Sequence, residues 1–344
     1  MKLEKPESEP RRSTIGDVAS LAGVSVGTVS NVINGRTKVS AKRRKKVEDA
    51  VKALSFSGSL LAKAMRTQRY PVIGLCIPNA TSSNFLTFAD LLEMHVAESG
   101  YELTQMITRH DPARETARIE RLIASRASGV FLLPTRDAKS VLKILIAEKM
   151  PTVVINQFAE DASEVDQVKV DHRSAFHSAS EQLLEMGYDT LIVATQFPNF
   201  SVVQQNLYGI QDALDSSDRD ARMIVLKCGD SLEDYQIQLS EAMQANPGRI
   251  ALIASSSLLA AWSLEACRAL GIRIPEDVGL LSAEEPDWAT AMWPTLSCIQ
   301  QPTRELASIA WNLLNQRISG STEPPVNIRC DARVNFRSSV RPQD

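Results

Sequence analysis

Residues 14–34 constrain the fold more than any other stretch, because two short helical patterns stand there on either side of a glycine. They read TIGDVASLAGVSVGTVSNVIN. Gly23 predicts the end of the first helix, since glycine enters the left-handed conformation without strain. Ser25 predicts the start of the second helix as its N-cap. The apolar face of the first helix is expected to comprise Ile15, Val18, Ala19 and Ala22.

The second helix is expected to bury three aliphatic side chains, namely Val29, Val32 and Ile33. Its other face carries no charged residue and consists of Val26, Gly27, Thr28, Ser30 and Asn31. Two helices this short and this tightly joined predict a helix-turn-helix, in which the second helix enters the major groove of DNA. The alternative is a small helical domain that contains such a turn without binding DNA.

A basic segment follows the second helix, with Arg36, Lys38 and the consecutive basic residues 42–46. Residues 1–70 hold 15 Lys and Arg against 6 Asp and Glu, a net charge of +9; since the whole chain carries −3, residues 71–344 carry −12. A basic head on an acidic body is typical of a nucleic-acid-binding protein with a second module. Some basic residues of 42–46 also fit the solvated face of a third helix. The buried side of that helix would hold Val39, Val47, Ala50, Val51 and Leu54.

The stretch TIGDVASLAGVSVGTVSNVING resembles the opening of the lactose/galactose-repressor family of bacterial transcription regulators, and the resemblance continues along the chain. It implies a sequence-specific repressor that binds a pseudo-palindromic DNA operator as a homodimer or tetramer. Asn31 stands where family members commonly carry a longer residue such as Arg or His. The residues expected to contact DNA are Thr14, Ser25, Val26, Gly27, Thr28, Ser30, Asn31, Asn34, Lys38, Ser40, Ala62, Lys63 and Met65.

A helix-favouring segment, residues 58–66, precedes a linker at 67–71. One or two helical turns are not stable alone in water, so a simple tether is one interpretation. The family resemblance implies instead a hinge helix that orders against its dimer mate on the operator. Met65 then occupies the position of a leucine that wedges into the minor groove, a role that Met can also perform. Gly58 and Ser59 replace the usual Pro-Asn of the family, which loosens the expected start of this helix.

The composition, with 44% apolar and 23% charged residues over 344 positions, is that of a soluble protein larger than one ordinary domain. No apolar run approaches the roughly 20 residues of a membrane helix, and the N-terminal residues lack a signal-peptide core. The cysteines are far apart and show no CxxC spacing, which predicts reduced core residues in a cytoplasmic protein. They are Cys76, Cys228, Cys267, Cys298 and Cys330.

From residue 72 onward, segments rich in Val, Ile and Leu alternate with helical patterns. The predicted strands are 72–77, 101–107, 130–133, 152–155, 190–194, 223–226, 250–254 and 278–281, followed by a helix at 303–319 and a strand near 326–328. This alternation predicts parallel sheets covered by helices on both faces. The expected fold class is α/β, with an all-α helix-turn-helix head and hinge helix before a two-lobe core of doubly wound parallel sheets.

The family resemblance extends to LGIRIPEDV at 270–278 and PTLSCIQQP at 294–302. It implies a core like the periplasmic sugar-binding fold, in which three crossovers join the lobes. The expected organisation is a disordered arm at 1–12, the DNA-binding head at 13–57, the hinge and linker at 58–70 and the core at 71–340. Within the core, the N-lobe is expected at about 71–165 and 302–325, and the C-lobe at about 166–301 and 326–340.

Ligands of two-lobe α/β proteins bind at the carboxyl ends of the strands. There the family resemblance implies effector contacts at Asn156, Asn206, Ser256 and Glu284, and Phe85 and Trp288 are candidate apolar walls or simply core residues. Asn206 stands where the family usually has arginine, a bidentate donor for carboxylate or phosphate. Asn and Ser still offer donors and acceptors to a neutral polyol. The effector is expected to be a neutral sugar-like molecule, a ligand unlike the family's usual ones, or absent.

The sequence contains no GxxxxGK(S/T), GxGxxG or HExxH motif, and its histidines show no metal spacing. Asp171-His172 with Glu284-Glu285 could form an acid/base set, but surface charge is the favoured interpretation. A regulator without enzymatic activity or cofactor, controlled by a small metabolite, is therefore expected. A solute-binding or sensor protein with the same core is the alternative, and an enzyme that carries a DNA-binding head is a third hypothesis.

Overall fold

The computed structural model describes residues 14–33, 39–54, 69–79, 83–135, 139–156 and 163–342. The chain divides into two compact units, a head at 1–71 and a core at 72–344. The expected arm at 1–12 and nearly all of the expected hinge and linker lie outside the described residues. So do five of the predicted DNA contacts, namely Asn34, Lys38, Ala62, Lys63 and Met65.

The described part of the head contains the helices α1 (Ile15–Ala22), α2 (Val26–Ile33) and α3 (Ala41–Ala53). Gly23 ends α1 in the left-handed conformation, at φ 64°, as predicted. All three helices contribute to one apolar cluster of buried side chains, namely Val18, Ala19, Ala22, Val29, Val32, Val47 and Ala50. The described part of the head is therefore a small bundle of three helices. Among the described residues no single helix is long and apolar enough to cross a membrane; α1 and α2 pass that test only together, and they meet at 99°.

The core alternates strands with helices. Its strands are β1 (Tyr70–Ile77), β2 (Glu102–Ile107), β3 (Ala127–Leu132), β4 (Thr152–Ile155), β5 (Asp166–Val170), β6 (Thr190–Thr195), β7 (Arg222–Lys227), β8 (Ile250–Ala254), β9 (Val278–Ser282), β10 (Ser297–Gln300), β11 (Asn327–Cys330) and β12 (Arg333–Asn335). Its described helices are α4 (Ser83–Glu98), α5 (Pro112–Ala124), α6 (Lys139–Ala147), α7 (His172–Glu185), α8 (Ser201–Ser216), α9 (Leu232–Ala245), α10 (Ser257–Leu270) and α11 (Thr303–Ile318).

The strands form two sheets with matching order, β2-β1-β3-β4-β5-β11 and β7-β6-β8-β9-β10-β12. Pairing is parallel in the lobe interiors, and β12 is antiparallel to β10. Each sheet buries both faces: Ile73 and Leu75 of β1 lie in one apolar cluster and Cys76 lies in another. The chain passes between the lobes after β5, β10 and β11. The predicted two-lobe, doubly wound α/β core is confirmed.

The expected lobe boundaries at 165/166 and 325/326 are wrong. Strand β5 pairs with β4, and β11 pairs with β5, so both belong to the first sheet and the crossovers come after Val170 and Cys330. Strand β5 was not predicted because polar side chains interrupt its apolar pattern. These side chains are nevertheless buried, and Asp166 forms a bidentate ion pair with Arg317 of α11 at 2.6 and 2.8 Å. A tertiary partner thus turns a polar segment into an interior strand.

Two further short strands were also missed, β10 and β12. Strand β10 reads SCIQ and buries Ser297 and Cys298, while β12 has only three residues. Runs this short and this polar give no clear periodic signal. Pairing in the second sheet defines them as strands, because β10 pairs with β9 and with β12.

Candidate functional site: a cleft between the core lobes

A cavity of about 150 Å³ lies in the core where the carboxyl ends of the strands of both sheets meet. Its walls come from segments that follow β1, β2, β3 and β4 in the first lobe and β6, β8 and β9 in the second. The strand order reverses between β1 and β3 in the first sheet and between β6 and β8 in the second, so this position is the topological switch point where ligands of doubly wound folds bind. The cavity has room for on the order of ten water molecules, which suits a ligand of sugar size.

All five predicted effector contacts line this cavity. Phe85 comes from α4 and Asn206 from α8, while Asn156 follows β4, Ser256 follows β8 and Glu284 follows β9. The structure thus brings together residues that are up to 199 positions apart in sequence, counting from Phe85 to Glu284. Whether they bind a ligand stays a prediction. Trp288, the other candidate wall, instead packs against the apolar core of the second lobe.

Three of these five side chains also hold the local fold in place. The Asn156 Oδ1 accepts a hydrogen bond from the Val170 N–H at 2.9 Å, and Asn156 itself is left-handed at φ 52°. The Ser256 Oγ accepts from the Leu259 N–H at 3.3 Å and so caps α10. These bonds fix the side chains at the cavity wall, but they use part of the acceptor capacity available to a ligand.

Glu284 is the third side chain with a structural role. One of its carboxylate oxygens accepts a hydrogen bond from the Ser257 N–H, the first residue of α10, at 3.0 Å. A helix N-terminus favours a negative charge because its N–H groups point outward and its dipole is positive there. The bond gives one carboxylate oxygen a partner in a residue that is only 8% exposed.

Asn206 differs from these three, because its side-chain oxygen has no hydrogen-bond partner among the described residues. The residue is 3% exposed and lies on α8 at the cavity wall. The side-chain nitrogen of Asn84, on α4 of the other lobe, is likewise buried, lines the cavity and lacks a described partner. An acceptor and a donor from opposite lobes are thus both available. Such a pair can be satisfied by hydroxyl groups, which donate and accept.

The described residues that line the cavity include no Lys or Arg. Glu284 supplies a carboxylate, and two histidines, His110 and His172, complete the titratable groups of the wall. Burial lowers the pKa of His172 to about 4 and also lowers the pKa of His110. Both are therefore neutral at physiological pH. The described wall therefore offers no cationic side chain to a ligand.

The sequence interpretation held that the candidate acid/base residues are surface charges. For two of them it is wrong. His172 is 2% exposed and Glu284 is 8% exposed. The interpretation was wrong because both residues directly follow interior strands of the core, β5 and β9, and line the cavity between the lobes.

Sequence reasoning missed an aromatic cluster at the same cavity, formed by His110, Phe197 and Phe200. The His110 ring stacks on Phe197 with centroids 4.3 Å apart and planes 26° apart. Phe200 meets the His110 ring edge-on, with centroids 5.5 Å apart. His110 follows β2 and the two phenylalanines follow β6, so the contact joins the lobes. No local pattern connects these loops, and only the fold brings them together.

In the head, the uncharged face of α2 is available to a partner. Val26 is 48% exposed, and Ser25 caps the helix by accepting a hydrogen bond from the Thr28 N–H at 3.2 Å, as predicted. Ser30 and Asn31 are half-buried on the same helix. Thr14 and Asp17 cap α1 reciprocally, with the Asp17 carboxylate accepting from the Thr14 N–H at 2.6 Å.

Residues 14–59 match the family described as bacterial regulatory proteins, lacI family, and residues 180–340 match the periplasmic binding protein-like domain. The chain belongs to the lacI family. It is 25% identical over 345 residues to the HTH-type transcriptional regulator KdgR of Bacillus subtilis (strain 168), covering 95% of this chain and 98% of that protein.

Two solved structures show the same fold as this lacI-family regulator. The lac repressor dimer bound to operator and the anti-inducer ONPF matches with a TM-score of 0.81 at 18% identity, over 96% of this chain and all of that one. The transcriptional regulator CelR–cellobiose complex matches with a TM-score of 0.70 at 23% identity, over 95% of this chain and all of that one. The α/β core and the helical head thus share the fold of these two proteins.

The proteins that this lacI-family regulator matches are transcription regulators by name, not enzymes. Among the described residues, no group of three or more His, Cys, Asp or Glu side chains could hold a metal ion. The cavity residues described above therefore suit recognition of a ligand by hydrogen bonds and apolar contact.

Proposed function

We propose that this lacI-family regulator is a cytoplasmic repressor that binds a pseudo-palindromic operator as a homodimer and responds to a small uncharged, sugar-like ligand in the core cleft. The observation that carries the ligand proposal is the convergence of Phe85, Asn156, Asn206, Ser256 and Glu284 on one cavity at the carboxyl ends of both sheets. A cavity at this switch point is the expected ligand site of a doubly wound fold.

The proposed reading surface is the exposed side of α2. Asn31 can pair bidentately with adenine, while Val26 and Gly27 allow close approach and apolar contact with a thymine methyl group. Thr14, Ser25, Thr28, Ser30 and Ser40, together with Asn34 and Lys38, would contact phosphates or neighbouring base edges. Ala62, Lys63 and Met65 would act in a hinge helix at 58–66, with Met65 as the apolar wedge at the operator centre.

Exposed apolar side chains of the core support a second copy of the chain as partner. Trp293 is 86% exposed, and it borders a groove that contains Ile272, Ile274 and Met292. In the other lobe, α4 leaves Leu86 53% and Met94 50% exposed. Large exposed apolar groups on each lobe are typical of a protein interface. The solved lac repressor that shares this fold is a dimer.

The ligand is proposed to be uncharged for an electrostatic reason. The described wall holds Glu284 and no cationic side chain, and Asn206 offers an amide instead of a guanidinium. A phosphate or carboxylate would therefore lose its hydration without gaining a cation. A neutral molecule with several hydroxyl groups can instead satisfy the side chains of Asn84 and Asn206. Cellobiose in the CelR complex is a neutral sugar bound to a protein with this fold.

Operator selection from genomic DNA tests the DNA half of the proposal. The full chain should enrich a roughly palindromic sequence, and its affinity should fall steeply with salt because basic side chains release condensed counterions. Sedimentation of the complex should give a protein dimer on one site. A monomer that binds one half-site with full affinity would contradict the dimer model.

Calorimetry with a sugar panel tests the ligand half. Neutral probes such as ribose and cellobiose are compared with ribose 5-phosphate, for the wild type and for Asn206→Arg. The wild type should prefer neutral probes, and the variant should gain affinity for the phosphate. A true effector must also change operator affinity, and the operator must change effector affinity by the same factor. A probe that binds with and without operator equally well is not the effector.

A further inference from the structure

The loop after β2 holds His110 rigidly against the other lobe. His110 is left-handed at φ 58°, as is its neighbour Arg109 at φ 56°. The Arg109 N–H donates to the Pro78 carbonyl at 2.8 Å, and the Asp111 N–H donates to the Thr108 carbonyl at 3.2 Å. These bonds tie the loop to the end of β1. The ring of His110 is thus positioned by backbone geometry that few non-glycine residues adopt.

The loop after β6 is equally braced. The Phe200 N–H donates to the Phe197 carbonyl at 3.0 Å, and the Phe197 N–H donates to the Thr195 Oγ1 at 3.3 Å. The side-chain nitrogen of Gln204 on α8 donates to the Pro198 carbonyl at 2.5 Å. The two phenylalanines are therefore presented from a fixed turn at the start of α8.

The rings of these two loops meet at the rim of the cavity. Phe197 is 45% exposed although it lines the cavity, so one of its sides contacts solvent and the other contacts the interior. Stacked and edge-on aromatic pairs stabilise a contact by about 0.5–1.5 kcal/mol beyond the area they bury. We propose that His110, Phe197 and Phe200 form an aromatic gate between the lobes, which is shut while His110 is neutral and opens when His110 is protonated.

Hydrogen bonding supports the protonation dependence of this gate. The Asn79 side-chain nitrogen lies 3.3 Å from the His110 Nε2, an arrangement that suits a neutral ring with its proton on Nδ1 and Nε2 as the acceptor. Protonation would place a second donor against the Asn79 amide and would charge a ring stacked between aromatic groups. Burial also lowers the pKa of His110. The neutral form thus favours the shut gate, which is fully stabilised above the ordinary histidine pKa of about 6.5 and weakens as pH falls below it.

The charged groups near the gate have structural partners of their own. Asp111 beside His110 accepts from the Ala113 N–H at 2.8 Å, and Asp230 accepts from the Gln196 side chain at 3.2 Å. Glu284 on the cavity wall accepts from the Ser257 N–H, and Arg109 is exposed. His172, also on that wall, has a pKa of about 4 and stays neutral through the range in which the gate would open.

A cysteine behind the gate reports its opening without any ligand. Val203 lines the cavity and is 8% exposed, so Val203→Cys places a thiol inside. The native cysteines are all buried, which limits background reaction. Lys143→Cys, exposed on α6, supplies a reference thiol for the intrinsic pH dependence of the reaction. The ratio of the iodoacetamide reaction rates of the two thiols in the full-length protein then measures access to the cavity.

At pH 7.5, Phe197→Ala should raise this ratio roughly two- to tenfold, the factor that corresponds to losing one aromatic pair. Phe197→Leu, which keeps apolar volume without a ring, should give an intermediate ratio. Tyr208→Ala is the matched control, since Tyr208 is an exposed aromatic on α8 whose ring contacts Arg173 of its own lobe. Equal ratios for Phe197→Ala, Tyr208→Ala and the parent would overturn the gate.

Acidification provides the second arm. Between pH 7.5 and 5.5 the parent ratio should rise several-fold, and His110→Asn should abolish that rise, because asparagine tolerates positive φ but does not titrate in this range. A rise that persists in His110→Asn would remove the protonation step. The inference rests on the proposed ligand cleft for its biological purpose, yet its test uses no ligand. Failure to find an effector therefore leaves the gate standing, and failure of the gate leaves the effector proposal standing.

Discussion

The reading face of α2 and the core cleft are both recognition surfaces, but they are assembled in opposite ways. The α2 face lies within residues 26–31, on one helix whose start is capped by Ser25, just after Gly23 ends α1. The cleft wall is drawn from residues between 79 and 301, in segments that follow strands of two sheets. A contiguous surface is determined by local spacing, whereas a dispersed one exists only once the sheets have formed.

The two regions also differ in what holds them together. The head relies on one cluster of small aliphatic side chains from three short helices. The core has apolar clusters on both faces of each sheet and a buried ion pair between β5 and α11. Substitutions in the core should therefore change stability strongly, while substitutions on α2 should change recognition with little effect on folding.

Arg317→Ala is expected to lower the free energy of unfolding more than any other substitution considered below. The substitution leaves the Asp166 carboxylate, which is 1% exposed, without its bidentate partner, and removing one member of a buried pair costs about 3–5 kcal/mol. Urea unfolding of the core should show this loss. The base preference of the head, measured on any protein that remains folded, should not change. A loss below 1 kcal/mol would mean that the ion pair does not hold β5 in the first sheet.

Acid should destabilise the core through His172. Its pKa is about 4 in the folded core against about 6.5 in an unfolded chain, so the neutral form stabilises folding above pH 6.5 and this contribution is lost as pH falls toward 4. The difference corresponds to about 3 kcal/mol over that range. Unfolding titrations of the wild type and His172→Gln should differ in pH slope there. An identical slope in both proteins would mean that His172 does not contribute to the acid sensitivity of the core.

Asn31→Ala tests whether the α2 face contributes to base recognition without contributing to the stability of the head. If Asn31 pairs with adenine, the substitution should remove about 1–3 kcal/mol of discrimination at one base pair per half-site. Thermal unfolding should change little, because Asn31 is half-buried and lies outside the apolar cluster of the head. Lys42→Ala is the control, since loss of an exposed cation should weaken all sequences alike. Unchanged base preferences in Asn31→Ala would contradict the proposed contact.

Asn206→Leu is expected to have the smallest effect on stability, and it should stabilise the core instead of destabilising it. The substitution removes a buried oxygen without a described partner, so the free energy of unfolding should rise by about 1 kcal/mol. Any response of operator binding to the effector should be lost at the same time. If Asn206 served only stability, the substitution would lower the free energy of unfolding. Such a loss would argue for a structural role of Asn206.

Most strands of the core were predictable because interior parallel strands read as continuous Val, Ile and Leu runs, as in β6 and β8. Strand β5 was not, because its Asp166, Gln167 and Lys169 read as a surface segment. Four effector positions were predicted through family resemblance and Phe85 as an apolar wall, and all five reach the cavity. The same reasoning gave no hint of His110, Phe197 and Phe200, since their meeting depends on how the loops after β2 and β6 face each other.

The sequence by itself determined the helix-turn-helix, since helix ends and apolar faces follow from residues within one or two turns of each other. It also determined the α/β class and the charge division between head and core. Only the tertiary structure decided which polar residues are buried, which side chains share the cleft and which aromatic rings join the lobes. Contacts such as Asp166–Arg317, 151 residues apart, or His110–Phe197 carry no local signal. The first contact forms because α11 packs on the first sheet, and the second forms because the two sheets bring the carboxyl ends of their strands to one place.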